Sequence, residues 1–213
     1  MSDLLMFDDE PSYRDFAHLV RRAKQVSDTG LHLVASGSVL ASYVAILAPK
    51  NLGEKTPTIL GLRTSVLAQP ANINITVSLA SLADRIARQP ISSTSISVPP
   101  TEVSVGWSGI LPPRGGWESV GELDAGFLES VAKEGIEEVA RALPENPGPH
   151  MVTAARNAIW GSPVAEDEPL PKGAAFAAFT LGFLKVTGPV PIFTSGRWTR
   201  LSTPVGHVLV KNN

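Results

Sequence analysis

Two groups of β-rich runs, with a long helical stretch between them, most constrain what this chain can fold into. The first group spans residues 31–77 and the second spans residues 191–210. Regular alternation of strand and helix, which marks a parallel sheet, is missing. The arrangement predicts an α+β fold in which helices pack on a largely antiparallel sheet. We expect a single domain over residues 11–213, after a flexible acidic N-terminus over residues 1–10.

The individual elements follow from apolar spacing and from helix and strand breakers. Helices are expected over residues 12–29, 79–86, 149–161 and 172–185, and over a longer segment that begins near Ser119 or Glu122 and ends at Leu143. Strands are expected over residues 31–36, 39–48, 58–68, 73–77, 191–195, 197–202 and 206–210. The Ser-, Pro- and Gly-rich segment 91–116 is expected to contain one or two strands and an ordered loop.

Composition excludes several classes of protein. The 213 residues include no cysteine, which rules out disulfides, thiolate zinc sites, iron–sulfur clusters and a cysteine nucleophile. A hydrophobic content of 43% with a net charge of −2 argues against intrinsic disorder. No apolar run reaches the roughly 18 residues of a membrane span. The acidic start, MSDLLMFDDE, argues against a cleaved secretory signal, so we expect a cytoplasmic protein.

Charge is scarce and unevenly distributed. Only 18% of the residues are charged, against about 25% in typical domains, which favours self-association. Residues 118–145 carry eight acids and two bases. Residues 171–213 carry no acid and five bases, namely Lys172, Lys185, Arg197, Arg200 and Lys211. These segments are either solvated faces that attract each other within one fold, or evidence of an anion-facing C-terminal surface.

The predicted helix over residues 172–185 has a row of small side chains. Ala174, Ala178 and Gly182 recur every fourth residue and make one flat face. Such a face lets another backbone approach closely. The helix therefore either lies in the core on its own sheet or forms a dimer contact.

The least ordinary segment runs from Trp107 to Trp117. Two prolines stiffen it, two glycines permit unusual dihedral angles, and two tryptophans flank Arg114, which has the forked geometry suited to an anion. The segment is either a ligand clamp or an irregular loop that its tryptophans attach to the core.

A second candidate lies near the C-terminus. If residues 197–202 form a strand, Arg200 shares a face with Trp198 and diverges from Arg197, which leaves Arg200 as an oriented cation beside an aromatic ring. His207 is the best acid–base candidate among the histidines, because Arg200, Ser202 and Thr203 are close to it in sequence. The alternative for each of these residues is a structural or solvent-exposed role.

These two segments, together with residues 57–63 (PTILGLR) and 173–179 (GAAFAAF), resemble motifs of an uncharacterised family of actinobacterial proteins. The resemblance covers most of the chain and implies a bacterial protein. It implies no known activity, so it assigns no functional residue.

Known catalytic and cofactor motifs are absent from the sequence. It contains no phosphate loop, no dinucleotide fingerprint and no nucleophile elbow, and its four histidines lack metal-ligand spacing. We therefore expect no metal and no cofactor. Basic residues on the first helix favour nucleic acid, namely Arg14, Arg21, Arg22 and Lys24, but the balanced overall charge argues against nucleic acid as a partner.

Two functional hypotheses remain. The first is a non-enzymatic interaction or regulatory protein that acts as a homo-oligomer, with a homodimer as the simplest form. The second is an anion-binding domain or enzyme, with a pocket between the Trp107–Trp117 loop and the C-terminal basic strands. Its candidate ligand-binding residues are Trp107, Arg114, Trp117, Trp198, Arg200 and His207. The sequence names no catalytic residue, no ligand and no protein partner.

Overall fold

The fold was obtained as a computed structural model, which describes residues 4–27, 29–51, 53–184 and 188–211. Within these ranges the chain forms five α-helices and ten strands, and six of the strands make one antiparallel sheet. The predicted α+β class is therefore confirmed. No helix in the described ranges is long and apolar enough to cross a membrane. Lys185, one of the five C-terminal bases, lies outside the described residues.

The order of the elements along the chain is as follows. The strands are β1 (Leu4–Met6), β2 (Gly30–Leu47), β3 (Thr58–Ser78), β4 (Ser95–Ser97), β5 (Glu118–Asp124), β6 (Pro163–Ala165), β7 (Glu168–Pro171), β8 (Pro189–Ser195), β9 (Trp198–Thr203) and β10 (Gly206–Lys211). The helices are α1 (Glu10–Val26), α2 (Leu79–Ala87), α3 (Ala125–Ala142), α4 (Pro149–Gly161) and α5 (Lys172–Thr180). The six-stranded sheet has the order β2-β3-β10-β9-β8-β5, so β2 and β5 are its edges.

Residue contacts divide the chain into two compact units. The first unit comprises residues 1–45 and 62–111, and includes α1, α2 and most of β2 and β3. The second comprises residues 46–61 and 112–213, and includes α3, α4, α5 and the strands from β5 onward. Because β2 and β3 contribute residues to both units, we propose that residues 11–213 form the single domain expected from the sequence.

The N-terminal region differs from the sequence expectation. Residues 4–6 form β1, which pairs with β4, and Leu5 and Phe7 are buried. Helix α1 begins at Glu10, two residues before the predicted start, because Asp9 caps it: the Asp9 carboxylate accepts a hydrogen bond from the Ser12 backbone N–H at 2.8 Å. Its apolar stripe then turns inward as predicted.

Strands β2 and β3 are longer than predicted. The Ser36-Gly37-Ser38 segment, expected to break the chain into two strands, lies inside β2, where Gly37 adopts a φ of +67°. Residues 58–68 and 73–77 likewise join into β3, which continues through Pro70. Glycine reaches a positive φ without steric cost, and both strands continue past these predicted breakers.

Strand β5 replaces the expected first turns of the long helix. The residues from Glu118 to Asp124 pair with β8, and α3 begins only at Ala125. The Asp124 carboxylate caps the helix by accepting a hydrogen bond from the Phe127 N–H at 2.9 Å. Ser119 and Glu122 have capping-box spacing, but both residues lie in the strand that pairs with β8. The small local preference for a helix start does not outweigh this pairing. The predicted end at Leu143 agrees with the C-cap found there.

Helix α5 lies in the core of the second unit. Ala174 and Ala178 are buried within their own chain, and the helix packs against α3 and α4. The predicted end at residue 185 is wrong, because the helix ends at Thr180 and Gly182 adopts a φ of +77° after the C-cap. Gly182 therefore does not belong to the helical face that Ala174 and Ala178 form. The small-residue face is therefore used for close packing inside the chain, as the core interpretation expected.

Candidate functional site

The C-terminal hairpins place one set of side chains on each face of the sheet. Arg200 in β9 pairs with Phe193 in β8 and with Leu209 in β10. Leu201, the next residue, points to the opposite face and is buried. We call the first side the Arg200 face and the second the Leu201 face. Arg200 shares its face with Trp198, as predicted, but Arg197 lies in the turn before β9 and not on the strand.

Two aromatic rings hold the Arg200 guanidinium on its face. Its Cζ lies 4.5 Å from the centroid of the Trp117 ring and 4.7 Å from that of Phe193. Both distances lie within the range of a cation–π interaction. Sequence reasoning identified Trp117 and Arg200 but missed Phe193, because only the strand register shows that Phe193 is the cross-strand neighbour of Arg200.

The loop before β5 positions Trp117. The Trp117 Nε1–H donates a hydrogen bond to the Pro113 carbonyl at 3.1 Å, and the Ser195 hydroxyl donates to the Gly115 carbonyl at 3.4 Å. Gly116, at a φ of +73°, allows the tight bend between these contacts. Arg114 is exposed on the same loop. The predicted loop thus brings Trp117 onto the strands and leaves Arg114 in solvent.

Burial changes the ionisation of two groups on the Arg200 face. Desolvation lowers the pKa of Arg200, although a guanidinium remains charged at neutral pH. Its Nε atom is buried and has no hydrogen-bond partner among the described residues. Burial, and then the charge of Arg200, lower the pKa of His207. His207 Nδ1 lies 3.1 Å from the hydroxyl oxygen of Ser202, its partner across the strand pair.

The other predicted site residues have structural surroundings. Trp198 is buried in β9. Trp107 belongs to the first unit, where it is buried and meets the ring of His32 edge to face, with the centroids 6.3 Å apart. The Nε1 atom of Trp107 and the Nε2 atom of His32 both lack a partner within the described part of the chain. Of the six candidates, Trp117 and Arg200 are in contact, and His207 lies near enough to Arg200 for the guanidinium charge to lower the pKa of the imidazole.

A groove on the Leu201 face was not predicted. It encloses about 390 Å³ and is lined by β5, β7 and the three C-terminal strands. Its lining includes Thr194 and Thr199 of the sheet, Glu168 of β7 and Glu122 of β5. Glu122 pairs with Pro191, which alternates with Ile192 and Thr194, so its side chain belongs to the Arg200 face. The described residues contain no group of three or more side chains suited to a metal ion.

Several known structures share this fold. The chain is similar to DNA polymerase III subunit beta from Borrelia burgdorferi, with a TM-score of 0.58 and 8% identity. It is also similar to the DNA polymerase sliding clamp from Caulobacter crescentus, with a TM-score of 0.54 and 10% identity, and to the sliding clamp from Bartonella birtlesii, with a TM-score of 0.52 and 12% identity. Each similarity includes 99% of this chain and 65% of the other protein, so the chain spans less than two thirds of the length of those proteins.

Comparison with protein families covers both halves of the sequence. None of the curated proteins matches the chain. Residues 112–213 match a family described as Domain of unknown function (DUF8185). Residues 1–109, just over half of the 213, match a second family. The chain therefore belongs to the family described as Domain of unknown function (DUF8010).

Proposed function

We propose that this chain is a non-enzymatic protein-interaction module that acts as a homo-oligomer. Its fold supports the proposal, because the similar structures are named as sliding clamps and as a subunit of DNA polymerase III, and a subunit acts within an assembly. The observation that carries the proposal is an exposed and uncharged sheet edge in the first unit. The proposal includes a cytoplasmic location, which rests on the sequence composition alone.

The edge lies in the middle of β2. Residues 36–39 are all exposed, and they are Ser, Gly, Ser and Val. In β3, which neighbours β2 in the sheet, residues 64–70 are mostly exposed and also uncharged. Val39 and Val66 expose 52% and 53% of their surface. Monomeric proteins usually protect such an edge with charge, so an unprotected one indicates a covering partner.

The opposite edge of the sheet is protected. Strand β5 carries Glu118, Glu122 and Asp124, and its register shifts between Ser119 and Gly121. Like charges and a bulge both oppose pairing of this edge with an identical one. Self-association is therefore assigned to β2, where two copies related by a two-fold axis would pair antiparallel.

The substitution Val39→Lys tests this assignment. Light scattering after size exclusion, at roughly tens of micromolar protein, is expected to give twice the 22.5 kDa chain mass for the wild type and the single mass for the variant, since a lysine brings charge into an edge that has none. Val120→Lys, at the exposed β5 edge, is the matched control and is expected to remain a dimer. A wild-type protein of 22.5 kDa contradicts the proposal.

The kind of partner follows from the charges on the helices. The first unit has a basic helix α1, but in the second unit α3 carries four acids against two bases, namely Glu129, Glu134, Glu137, Glu138, Lys133 and Arg141. Two of these acids already form ion pairs, with Lys133 and Lys172. Nucleic acid requires a concentrated basic face, so we propose a protein partner, although the similar structures are DNA polymerase clamps.

A second candidate function is anion binding on the Arg200 face. It rests on the guanidinium held between Trp117 and Phe193, which is fixed in orientation and partly desolvated. A cation already held in place loses little entropy when an anion binds. Arg114, on the loop that positions Trp117, is the second cation of this candidate.

Thermal unfolding with a panel of nucleotides, sugar phosphates and acyl carboxylates tests anion binding. A ligand at 100 times its Kd is expected to add about 2.7 kcal/mol, which is several degrees for a chain of this size. The shift should disappear in Arg200→Gln and weaken in Arg114→Ala. It should persist in Arg197→Gln, since Arg197 is exposed at the turn before β9. A wild type without any shift, or an equal loss in Arg197→Gln, removes this candidate.

A further inference from the structure

Strand register places Arg200, Ser202 and His207 close together on the Arg200 face. His207 is the cross-strand partner of Ser202, and Arg200 precedes Ser202 on the same face of β9. The imidazole Nδ1 of His207 lies 3.1 Å from the Ser202 hydroxyl oxygen. All three residues are half-buried, so a small ligand can reach them in part. The register and this hydrogen bond fix the imidazole on the same part of the sheet as the guanidinium.

The guanidinium of Arg200 has no carboxylate partner among the described residues. The rings of Trp117 and Phe193 compensate its charge only in part, and its buried Nε atom donates no hydrogen bond within the described ranges. Burial removes water that would otherwise solvate the cation, so a half-buried guanidinium without a carboxylate is incompletely stabilised. An oxyanion on this face would stabilise it.

The ionisation of His207 depends on the charge at Arg200. Burial lowers the pKa of His207, and the positive charge of Arg200 lowers it further. An anion at Arg200 would offset the second effect, because its charge favours the protonated imidazole. A protonated imidazole donates its Nδ1–H to the Ser202 oxygen, which leaves the Ser202 hydroxyl proton free for the anion. Anion binding and proton uptake at His207 are therefore coupled on this face.

The other charged residues around β10 are of two kinds. Some share the Arg200 face, namely Lys211 in β10 and, beyond β8, Glu122 and Asp124 in β5. Others belong to β3 and α5, which adjoin β10, and these are already ion-paired, namely Arg63 with Asp15 and Lys172 with Glu138. Arg200 is the charge that shifts the pKa of His207.

We propose that the Arg200 face binds a dianionic oxyanion, either free or as the phosphate group of an ester, and that His207 takes up one proton as the anion binds. A dianion suits this face better than a monocarboxylate, because the guanidinium and the imidazolium together match its two charges. Proton uptake rests on the anion-binding function proposed above as the second candidate. The affinity for the anion should therefore rise as the pH falls.

Titration of the ¹⁵N-labelled full chain with sodium sulfate, at constant ionic strength, tests the proposal. Sulfate remains a dianion between pH 5.5 and 7.5, so a change in affinity over this range reports on the protein. Amide shifts are expected in β8, β9 and β10, with an affinity about threefold to tenfold higher at pH 5.5, which is the effect of one opposite charge at close range. Acetate, a monoanion, should bind more weakly and with a smaller pH dependence.

Variants assign the proton and the anion to their groups. His207→Gln retains a hydrogen-bonding side chain but takes up no proton, so the higher affinity at pH 5.5 should be lost. His32→Gln removes the other histidine of lowered pKa and should keep it. Arg200→Gln should abolish sulfate binding, whereas Arg197→Gln, which removes the same charge at an exposed position, should not.

The imidazole signals of His207, followed against pH, provide a readout that affinity alone does not. Sulfate should raise the pKa of His207 in the wild type and leave it unchanged in Arg200→Gln. Inorganic phosphate and phenyl phosphate then distinguish the two sources of the anion. Tighter binding of phenyl phosphate indicates an ester as the ligand, and tighter binding of inorganic phosphate indicates the free anion.

The outcomes separate proton uptake from anion binding. Sulfate that binds at Arg200 with the same affinity at both pH values contradicts proton uptake and leaves anion binding in place. A pH dependence that persists in His207→Gln also contradicts the proposal, since another group then takes up the proton. The absence of shifts at tens of millimolar sulfate, or an equal affinity in Arg200→Gln, removes both the anion site and its coupling to His207.

Discussion

Replacing Trp160 by alanine is expected to lower the free energy of unfolding by about 3–5 kcal/mol, the largest effect of any single substitution considered for this chain. Trp160 is buried in α4, and its ring stacks on Phe176 of α5 with the centroids 4.2 Å apart. The same ring lies over Gly135, where α3 passes close by. Alanine would therefore leave a cavity at the junction of all three helices of the second unit.

Urea denaturation followed by circular dichroism measures the loss. Gly135→Ala should also destabilise, by about 1–3 kcal/mol, because its new methyl group would overlap the Trp160 ring. The gain of about 1 kcal/mol from replacing a helical glycine does not offset this overlap. Ala140→Gly, at an exposed position of α3, isolates that propensity effect. If Gly135→Ala is as stable as the wild type, α3 and α4 do not pack as described.

The transition itself tests the proposed single domain. Both units contain residues of β2 and β3, so disruption in the second unit should be transmitted to the first. We expect a single urea-unfolding transition in the wild type, and in Trp160→Ala the whole transition should move to lower urea concentration. Two transitions, of which only one moves, would show that the units unfold separately.

The sequence predicted elements well where the signal is local. The stripe of α1, the helix α4 after Pro149 and the three C-terminal strands all follow from spacing within a few residues. The sequence-based prediction failed where pairing with a strand distant in sequence determines the local structure. Residues 118–124 have capping-box spacing but pair with β8, and Gly37 lies within a strand. Pairing energy exceeds the small local preferences in both places.

The candidate site was predictable by residue type and not by position. Trp117 and Arg200 were found because an arginine beside tryptophan is chemically distinctive, whereas Trp107 shares that signal and lies in the core of the first unit. The groove beside β5 and β7 gave no signal, since only the approach of β7 to the sheet forms it. Burial of Ala174 and Ala178 removes one reason for expecting an oligomer, which leaves the uncharged β2 edge as its support.

Stability is expected to fall as the pH drops below about 6.5, because two histidines fold in their neutral form. His32 is buried, and its Nδ1 lies 2.8 Å from the Thr76 hydroxyl oxygen. Burial lowers the pKa of His32 and outweighs the opposing charge of Glu102. The pKa of His207 is lowered by burial and by Arg200. Each contribution to stability is complete above the unfolded value of about 6.5 and is lost as the unfolded chain takes up the proton.

Urea denaturation between pH 5.5 and 7.5 measures the slope of the free energy of unfolding against pH. This range lies above the pKa values of ordinary carboxylates, so their titration does not contribute. Each histidine contributes at most about 1.4 kcal/mol per pH unit, and half-buried His207 contributes less than His32 because solvent screens its charge. His32→Gln should therefore remove the larger part of the slope, even if it lowers stability at every pH. A wild type whose stability is flat or rises towards pH 5.5 would mean that neither imidazole is held neutral by the fold.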